Sequence, residues 1–271
     1  MSTFWNWFRP GPFVSVVRLE GVIGGSARLG TAPLTDVGLA SLIEGAFRRG
    51  KPKAVAFLIN SPGGSPAQSS LIAARIRRLA DERKVPVYAF CEDVAASGGY
   101  WLATAADEIW IDRNSIVGSI GVISATFGFH ELLARNGVER RVYTAGEDKS
   151  LLDPFRPERE EDVVRLKRIQ GQVHGHFIEQ VRARRGDKLS QDDDLFSGEI
   201  WVGEAAVATG LVDGVGHLVP KMKEVFGPDV KFRLLSPRRP LFRRFALPGV
   251  SEILGELDDR SLWARYGLPG R

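Results

Sequence analysis

Ser97 stands among small residues in Ala95-Ala96-Ser97-Gly98-Gly99-Tyr100, and Lys149 stands in Asp148-Lys149-Ser150. A serine hydroxyl attacks an acyl carbon only when a base takes its proton. The four histidines, His130, His174, His176 and His217, lack the context of a catalytic triad. A lysine amine can do the same work once desolvation lowers its pKa toward neutrality. Ser97 and Lys149 therefore read as nucleophile and general base for acyl transfer. The acidic neighbours Glu147 and Asp148 would oppose that role, so they are expected to turn to solvent, with Lys149 buried between Ser97 and Leu151-Leu152.

Acyl transfer also needs hydrogen-bond donors aimed at the developing oxyanion. Ser97 falls at an expected helix start, where the first amides have no helical acceptor. The turn Asn60-Ser61-Pro62-Gly63-Gly64 follows an apolar run and could present a further amide to the same point. Each glycine turn alone is common turn chemistry.

The elements that must position these residues follow from periodicity. Residues 13–19, 54–59 and 85–90 read as buried strands, and 108–111 and 120–124 continue the series. Leu39, Leu42, Ile43 and Phe47 recur at helical spacing before Gly50, and Ile72, Ile76 and Leu79 mark a second helix. Alternating strands and helices imply an α/β fold with a largely parallel sheet covered by helices, and ligands at the carboxyl ends of the strands. The 60–64 turn and Ser97 both fall there. Val163, Leu166, Ile169, Val173, Phe177 and Val181 trace a long amphipathic helix, and residues 203–211 a helix-turn before a last strand. Three segments result: an aromatic tail at 1–12, a catalytic domain at 13–236 and a basic extension at 237–271.

Composition narrows the class. The 271 residues are 44% hydrophobic and 26% charged, which is ordinary for a globular chain. A net charge of +4 permits contact with anionic membrane surfaces and is too mild to argue for nucleic acid. Cys91, the single cysteine, lies in an apolar run and reads as core. No signal segment or membrane span is visible, so a cytoplasmic or inner-face location is expected. Trp5, Trp7 and Phe8 read as a frayed or oligomer-docking tail, or as a membrane-interface contact. The arginines of 238–245, interleaved with Pro, Leu and Phe, are expected to be solvated or to touch lipid or a neighbouring subunit. His174 and His176, two apart on a helix, face different sides and cannot clamp one metal together, so no metal is expected.

Several separated motifs together resemble the signal peptide peptidase A family (SppA/SohB type) of the ClpP/crotonase fold. They are Leu-Ile-Asn-Ser-Pro-Gly-Gly at 58–64, Asp-Val-Ala-Ala-Ser-Gly-Gly-Tyr at 93–100 and Ala-Asp-Glu-Ile at 106–109. Val-Gly-Ser-Ile-Gly-Val at 117–122, Lys-Ser-Leu-Leu-Asp-Pro-Phe at 149–155 and Gly-Leu-Val-Asp at 210–213 complete the set. The resemblance implies Ser97 as nucleophile, Lys149 as base, Ser119 as the hydroxyl that positions the lysine amine, and the Gly64 and Gly98 amides as the oxyanion hole. It implies no cofactor, peptide substrates such as signal-peptide remnants or other unstructured or membrane-derived peptides, and a ring-like homo-oligomer. Three departures stand out: Asp153 where the family has Glu before Pro-Phe, Glu199 in place of an Arg, and no membrane anchor of the family's kind. ClpP enzymes use histidine where Val122 stands here. A crotonase-type acyl-CoA site would leave Ser97 and Lys149 unexplained. The remaining alternative is a non-catalytic scaffold of the same fold that binds membrane or partner proteins.

Overall fold

The computed structural model describes residues 11–25, 34–146, 149–191, 193–236 and 260–268. The readings of Trp5, Trp7 and Phe8, of Glu147 and Asp148, and of the 238–245 arginines lie outside the described residues. Contacts divide the chain into two compact units, Met1–Ile120 with Ile178–Arg271, and Gly121–Phe177.

The first unit is built on one sheet. Its strands are β1 (Phe13–Glu20), β2 (Ala54–Ser61), β3 (Val87–Ala96), β4 (Glu108–Ile111), β5 (Ile116–Gly118), β6 (Ile200–Val202), β7 (Gly214–Val215) and β8 (Lys231–Leu235). They run in the order β6-β5-β3-β2-β1-β8, with β4 pairing β3 and β7. All pairings are parallel except β5 with β6. Strand β2 is buried almost continuously, as expected of a central parallel strand covered on both faces.

Two helices precede the site. Thr35 caps α1 (Asp36–Arg48) by accepting from Gly38 N, and Leu39, Ile43 and Phe47 bury one face. Ser65 caps α2 (Pro66–Arg83), whose first position is a proline, and Ile72, Ile76 and Leu79 are buried. Arg75 of α2 reaches Asp36 at 2.6 Å and Glu44 at 3.1 Å, which ties the two helices together.

The expected strand at 120–124 is absent, and β5 lies earlier, at Ile116–Gly118. Gly118 and Ser119 take φ of +97° and +50°, which ends extended backbone there, and the first unit closes at Ile120. Residues 260–264, within the stretch expected as an appendage, form a helical turn. Its Trp263 is 2% exposed and packs on Val94 and Ala96 of β3.

The second unit holds α4 (His130–Arg135), the turn carrying Lys149 and the start of α5 (Glu160–Arg185). Phe129 and Phe155 stack with ring centroids 5.7 Å apart, and the Arg140 guanidinium lies 4.6 Å over Phe155. Arg140 also pairs with the buried Asp153 at 2.9 Å. Among the described residues of this unit, Phe177 is the only buried apolar side chain, while Ile123, Phe127, Leu132, Val138, Tyr143 and Val164 are exposed.

Candidate active site

Strand β3 carries the site because it changes partners along its length. Its first half, Tyr88 to Cys91, pairs with β4, and its last three residues pair with β5. The β2–β3 register shifts between Ile59 and Ser61. Asn60, fully buried at that irregularity, fills it. Its Oδ1 accepts from Val94 N at 3.2 Å, and its Nδ2 donates to Asp93 Oδ2 at 2.8 Å. A buried amide whose donor and acceptor are both used holds a bulge in one geometry.

Beyond the bulge comes Ser97, half-buried, with φ +52° and ψ −122°. This is a costly conformation for a residue with a Cβ, on the order of 1–3 kcal/mol, and it persists only where the surroundings impose it. Ser97 N donates to Gly118 O at 2.8 Å, and Ser97 O accepts from Trp101 N at 3.0 Å. The serine is thereby the N-cap of α3 (Gly98–Ala103). Gly98 N opens that helix and belongs to the first-turn amides, which have no helical acceptor.

Gly64 closes on the same point. It bridges to Ile23 with φ +141°, and a Cβ there would run into the Ile23 carbonyl. A Cβ on Gly98 would lie 3.4 Å from Gly64 N, and one on Gly63 would lie 2.9 Å from Ser97 Cβ and 3.1 Å from Gly98 N. The nucleophile candidate and both amide candidates therefore converge.

Ser119 comes one residue after the carbonyl that accepts from Ser97 N. Its own amide donates to Glu199 O at 2.7 Å, and its φ is +50°. Position 199, noted in the sequence for lacking the family's arginine, thus supports Ser119 through its backbone. The Ser119 hydroxyl accepts a hydrogen bond from Tyr266 Oη at 3.3 Å.

Lys149 is exposed in a turn of the second unit, with its amide directed to Gly146 O at 3.4 Å. Leu152 N, a few residues on, is held by the buried Asp162 at 3.4 Å, and Arg159 holds Asp162 at 2.7 Å. The desolvation expected for Lys149 is not provided within its own turn.

The motifs that sequence inspection set side by side are physically joined. The buried Tyr100, just after Ser97-Gly98-Gly99, donates to Leu211 O at 2.7 Å, and burial pushes its phenol well above the usual range. Asp213 accepts from Ile109 N at 2.7 Å and from Arg185 at 2.8 Å. Burial opposes its charge, yet Arg185 and then Lys188 outweigh that and hold its carboxyl below the ordinary value. The 93–100, 106–109 and 210–213 motifs are thus one buttress under α3.

Of the other residues weighed, Cys91 is buried, which pushes its thiol up to about 12, so it is core. His217 pairs with Asp112 at 2.9 Å, and His130 opens α4. Among the described residues no cluster of three or more His, Cys, Asp or Glu could hold a metal. Sequence reasoning missed Tyr266 and Trp263. Their one signal was a pair of aromatic residues, closely spaced in a polar segment.

The fold class expected from alternating elements is the one this chain has. Its sheet and helices match the 1510-N membrane-bound stomatin-specific protease, solved as a serine-to-alanine mutant, with a TM-score of 0.51 at 14% identity. That match covers 84% of this chain and 100% of the other. A lysine-to-alanine mutant of the same protease, in complex with a substrate peptide, matches with a TM-score of 0.51 at 13% identity, covering 90% and 96%. At such identities the likeness is one of fold, and the fold is α/β of ClpP type.

The model of peptidase family S49 matches residues 80–225, and the chain belongs to that family. A putative protease of Methanocaldococcus jannaschii is 32% identical over 185 residues, 68% of this chain and 59% of the relative. The chloroplastic serine protease SPPA of Arabidopsis thaliana is 30% identical over 230 residues, 80% of this chain and 34% of the relative. A protein of Brucella melitensis named Na(+)/H(+) antiporter NhaA is 48% identical over 274 residues. That match covers 94% of this chain but 37% of the antiporter's length, so this chain spans little more than a third of it. Among the described residues no helix is long and apolar enough to cross a membrane.

Proposed function

We propose that this chain is a serine peptidase that hydrolyses extended peptides through an acyl-enzyme on Ser97. The observation that carries the reading is the convergence of a strained, half-buried serine with the Gly98 and Gly64 amides at one strand end. In the reaction the neutral Lys149 amine takes the Ser97 proton as Oγ bonds to the scissile carbonyl carbon. The carbonyl oxygen becomes an oxyanion held by the Gly64 and Gly98 amides. The lysine ammonium returns the proton to the leaving amine as the C–N bond breaks. Lys149 then deprotonates a water, which releases the acyl group and regenerates Ser97. Ser119 accepts a hydrogen bond from the lysine amine and so fixes its direction. Backbone amides of Gly64 and Gly98 at one strand end suit an extended substrate backbone, as in unfolded peptides such as signal-peptide remnants or other membrane-derived segments.

Lys149 gains its desolvation from association of copies. The support is the second unit, which exposes Phe127, Leu132, Val138 and Tyr143 and buries only Phe177 among its described apolar side chains. Surfaces of this kind mark protein interfaces. A closed homo-oligomer would cover them and screen the site from folded proteins, consistent with the ring expected from the family resemblance.

A fluorophosphonate probe tests the chemistry. Wild type should label, and Ser97→Ala and Lys149→Ala should not; persistent labelling of Ser97→Ala refutes the assignment. The rate should show an ionisation below about pH 9, against about 10.4 for a free lysine. An enzyme whose turnover per chain stays constant while light scattering shows only monomers would remove the association argument. Cleavage of a peptide library then defines the substrates.

A further inference from the structure

We propose that the C-terminal segment 260–268 is an internal plug that keeps the catalytic centre closed in the resting chain. The inference rests on the reading of Ser97 and Ser119 given above, and it adds a control that this reading does not contain.

Three observations within the first unit carry it. Trp263 is 2% exposed although Arg260, Ser261, Ala264 and Arg265 around it are exposed, so a single aromatic side chain anchors an otherwise solvated turn. Its seat is formed by Val94 and Ala96, the residues of β3 just before Ser97, with Val22 and Ile116 partly buried beside them. Tyr266, one helical turn on, directs its hydroxyl to Ser119 Oγ at 3.3 Å. Leu268 adds to the same cluster.

The contact on Ser119 gives the segment a consequence beyond packing. The Ser119 oxygen that accepts the Tyr266 proton keeps a second acceptor lone pair, but with the Tyr266 ring beside it a lysine amine must compete for both the oxygen and the space around it. Trp263 meanwhile fills the apolar surface that leads along β3 to the nucleophile. A peptide entering along β3 and a lysine entering toward Ser119 both require the segment to leave. Two-state segments of this kind open to a minor population of roughly 0.1–10%, and the apparent reactivity of the closed protein falls by that fraction. The helical turn is short and four residues around Trp263 are exposed, which suits reversible release rather than permanent structure.

The 271-residue chain tests this with Tyr266→Phe, which deletes only the hydroxyl, and Trp263→Ala, which empties the seat. Ser97 labelling by a fluorophosphonate probe should rise about tenfold in Trp263→Ala and at least about twofold in Tyr266→Phe. A fluorescein-labelled peptide carrying residues 260–268 should bind Trp263→Ala, suppress its labelling and bind wild type at least about tenfold more weakly. The binding measurement is repeated on Ser97→Ala/Trp263→Ala, where no chemistry contributes. Unchanged or slower labelling in Tyr266→Phe, with no peptide binding to the double variant, overturns the proposal and makes the segment a structural strap. If Trp263→Ala does not fold, Tyr266→Phe alone decides by its labelling rate. If no variant labels but the peptide binds as expected, the plug stands and the peptidase reading falls. If wild type labels well and the variants are indistinguishable from it, the reverse holds.

Discussion

Adding one methyl at Gly98 separates stability from catalysis at this site. In an open helix Gly→Ala gains up to about 1 kcal/mol. Here the new Cβ would sit 2.5 Å from the Ser69 hydroxyl and 3.2 Å from Ile23 Cδ1, with Ser69 fully buried in α2. Overpacking of that degree costs about 1–3 kcal/mol, which outweighs the helical gain. Ser69→Ala removes the clashing atom. By itself that change sacrifices a hydrogen bond to Ser65 O of 2.9 Å, worth about 1 kcal/mol. The double variant should therefore be more stable than the sum of the single losses by at least about 1 kcal/mol, because the two side chains share one clash. Activity should behave differently. The methyl also lies 3.4 Å from Gly64 N and crowds any acceptor approaching that amide, whether or not Ser69 has been trimmed. Loss of one oxyanion donor lowers kcat by about 10²–10³. Denaturant melts and kcat measured on the wild type, both singles and the double give the full cycle. If kcat recovers in the double along with stability, the Gly64 amide is not an oxyanion donor and the site reasoning fails.

Two further perturbations address the supports. Asn60→Leu leaves Val94 N without its acceptor in a buried position, at a cost of about 1–3 kcal/mol, and should lower Tm by several degrees and activity more steeply than stability; a variant with normal Tm and full turnover would show that the bulge does not need this amide. The Asp112 carboxyl is held at about 2, first by the hydrogen bond from His217 and then by Asn114 N. Its folded pKa lies below the reference of about 3.9, so its contribution is complete above that value and disappears as pH falls toward 2. Both partners are well exposed, so the stability involved is under about 1 kcal/mol. His217→Ala should move the Asp112 titration upward in carboxyl-detected NMR, and an unmoved curve would remove His217 as the cause.

How far the site was legible in the sequence depends on the range of the interaction. The helices α1 and α2 were readable because their apolar spacing, and the Gly50 that stops the first, are local. Ser97 at a helix start was readable for the same reason, since a glycine pair after a small apolar run restricts what can follow. The strand expected at 120–124 failed because the apolar pattern there carries no mark of the positive φ at Ser119, a non-glycine residue that the Ser97–Gly118 and Ser119–Glu199 backbone bonds surround. The joining of Tyr100 to Leu211 and of Asp213 to Ile109 spans about a hundred positions, and no local rule reports it. Trp263 was invisible for a related reason: one pair of aromatics in a polar tail has no period to read, and only its partners on β3 give it meaning.

The two strained serines argue for a division of labour within the site. Ser97 and Ser119 each hold a positive φ, and one backbone hydrogen bond, Ser97 N to Gly118 O, joins their strands. Conformations of that kind cost on the order of 1–3 kcal/mol each and survive only in rigid surroundings, which the buried β2, β3 and α3 provide. In the proposed mechanism the nucleophile, the oxyanion amides and the lysine's anchoring hydroxyl are consequently fixed before any substrate arrives, the condition under which donors stabilise an oxyanion without reorganising. Lys149 belongs to a unit with the opposite character, exposed in its turn and with a single buried apolar side chain among the described residues. A base that must lose solvent to work is best placed on the part that association or substrate can cover. In the proposed mechanism activity then depends on what surrounds Lys149 and, on the proposed plug, on whether the hydroxyl of Tyr266 has left Ser119.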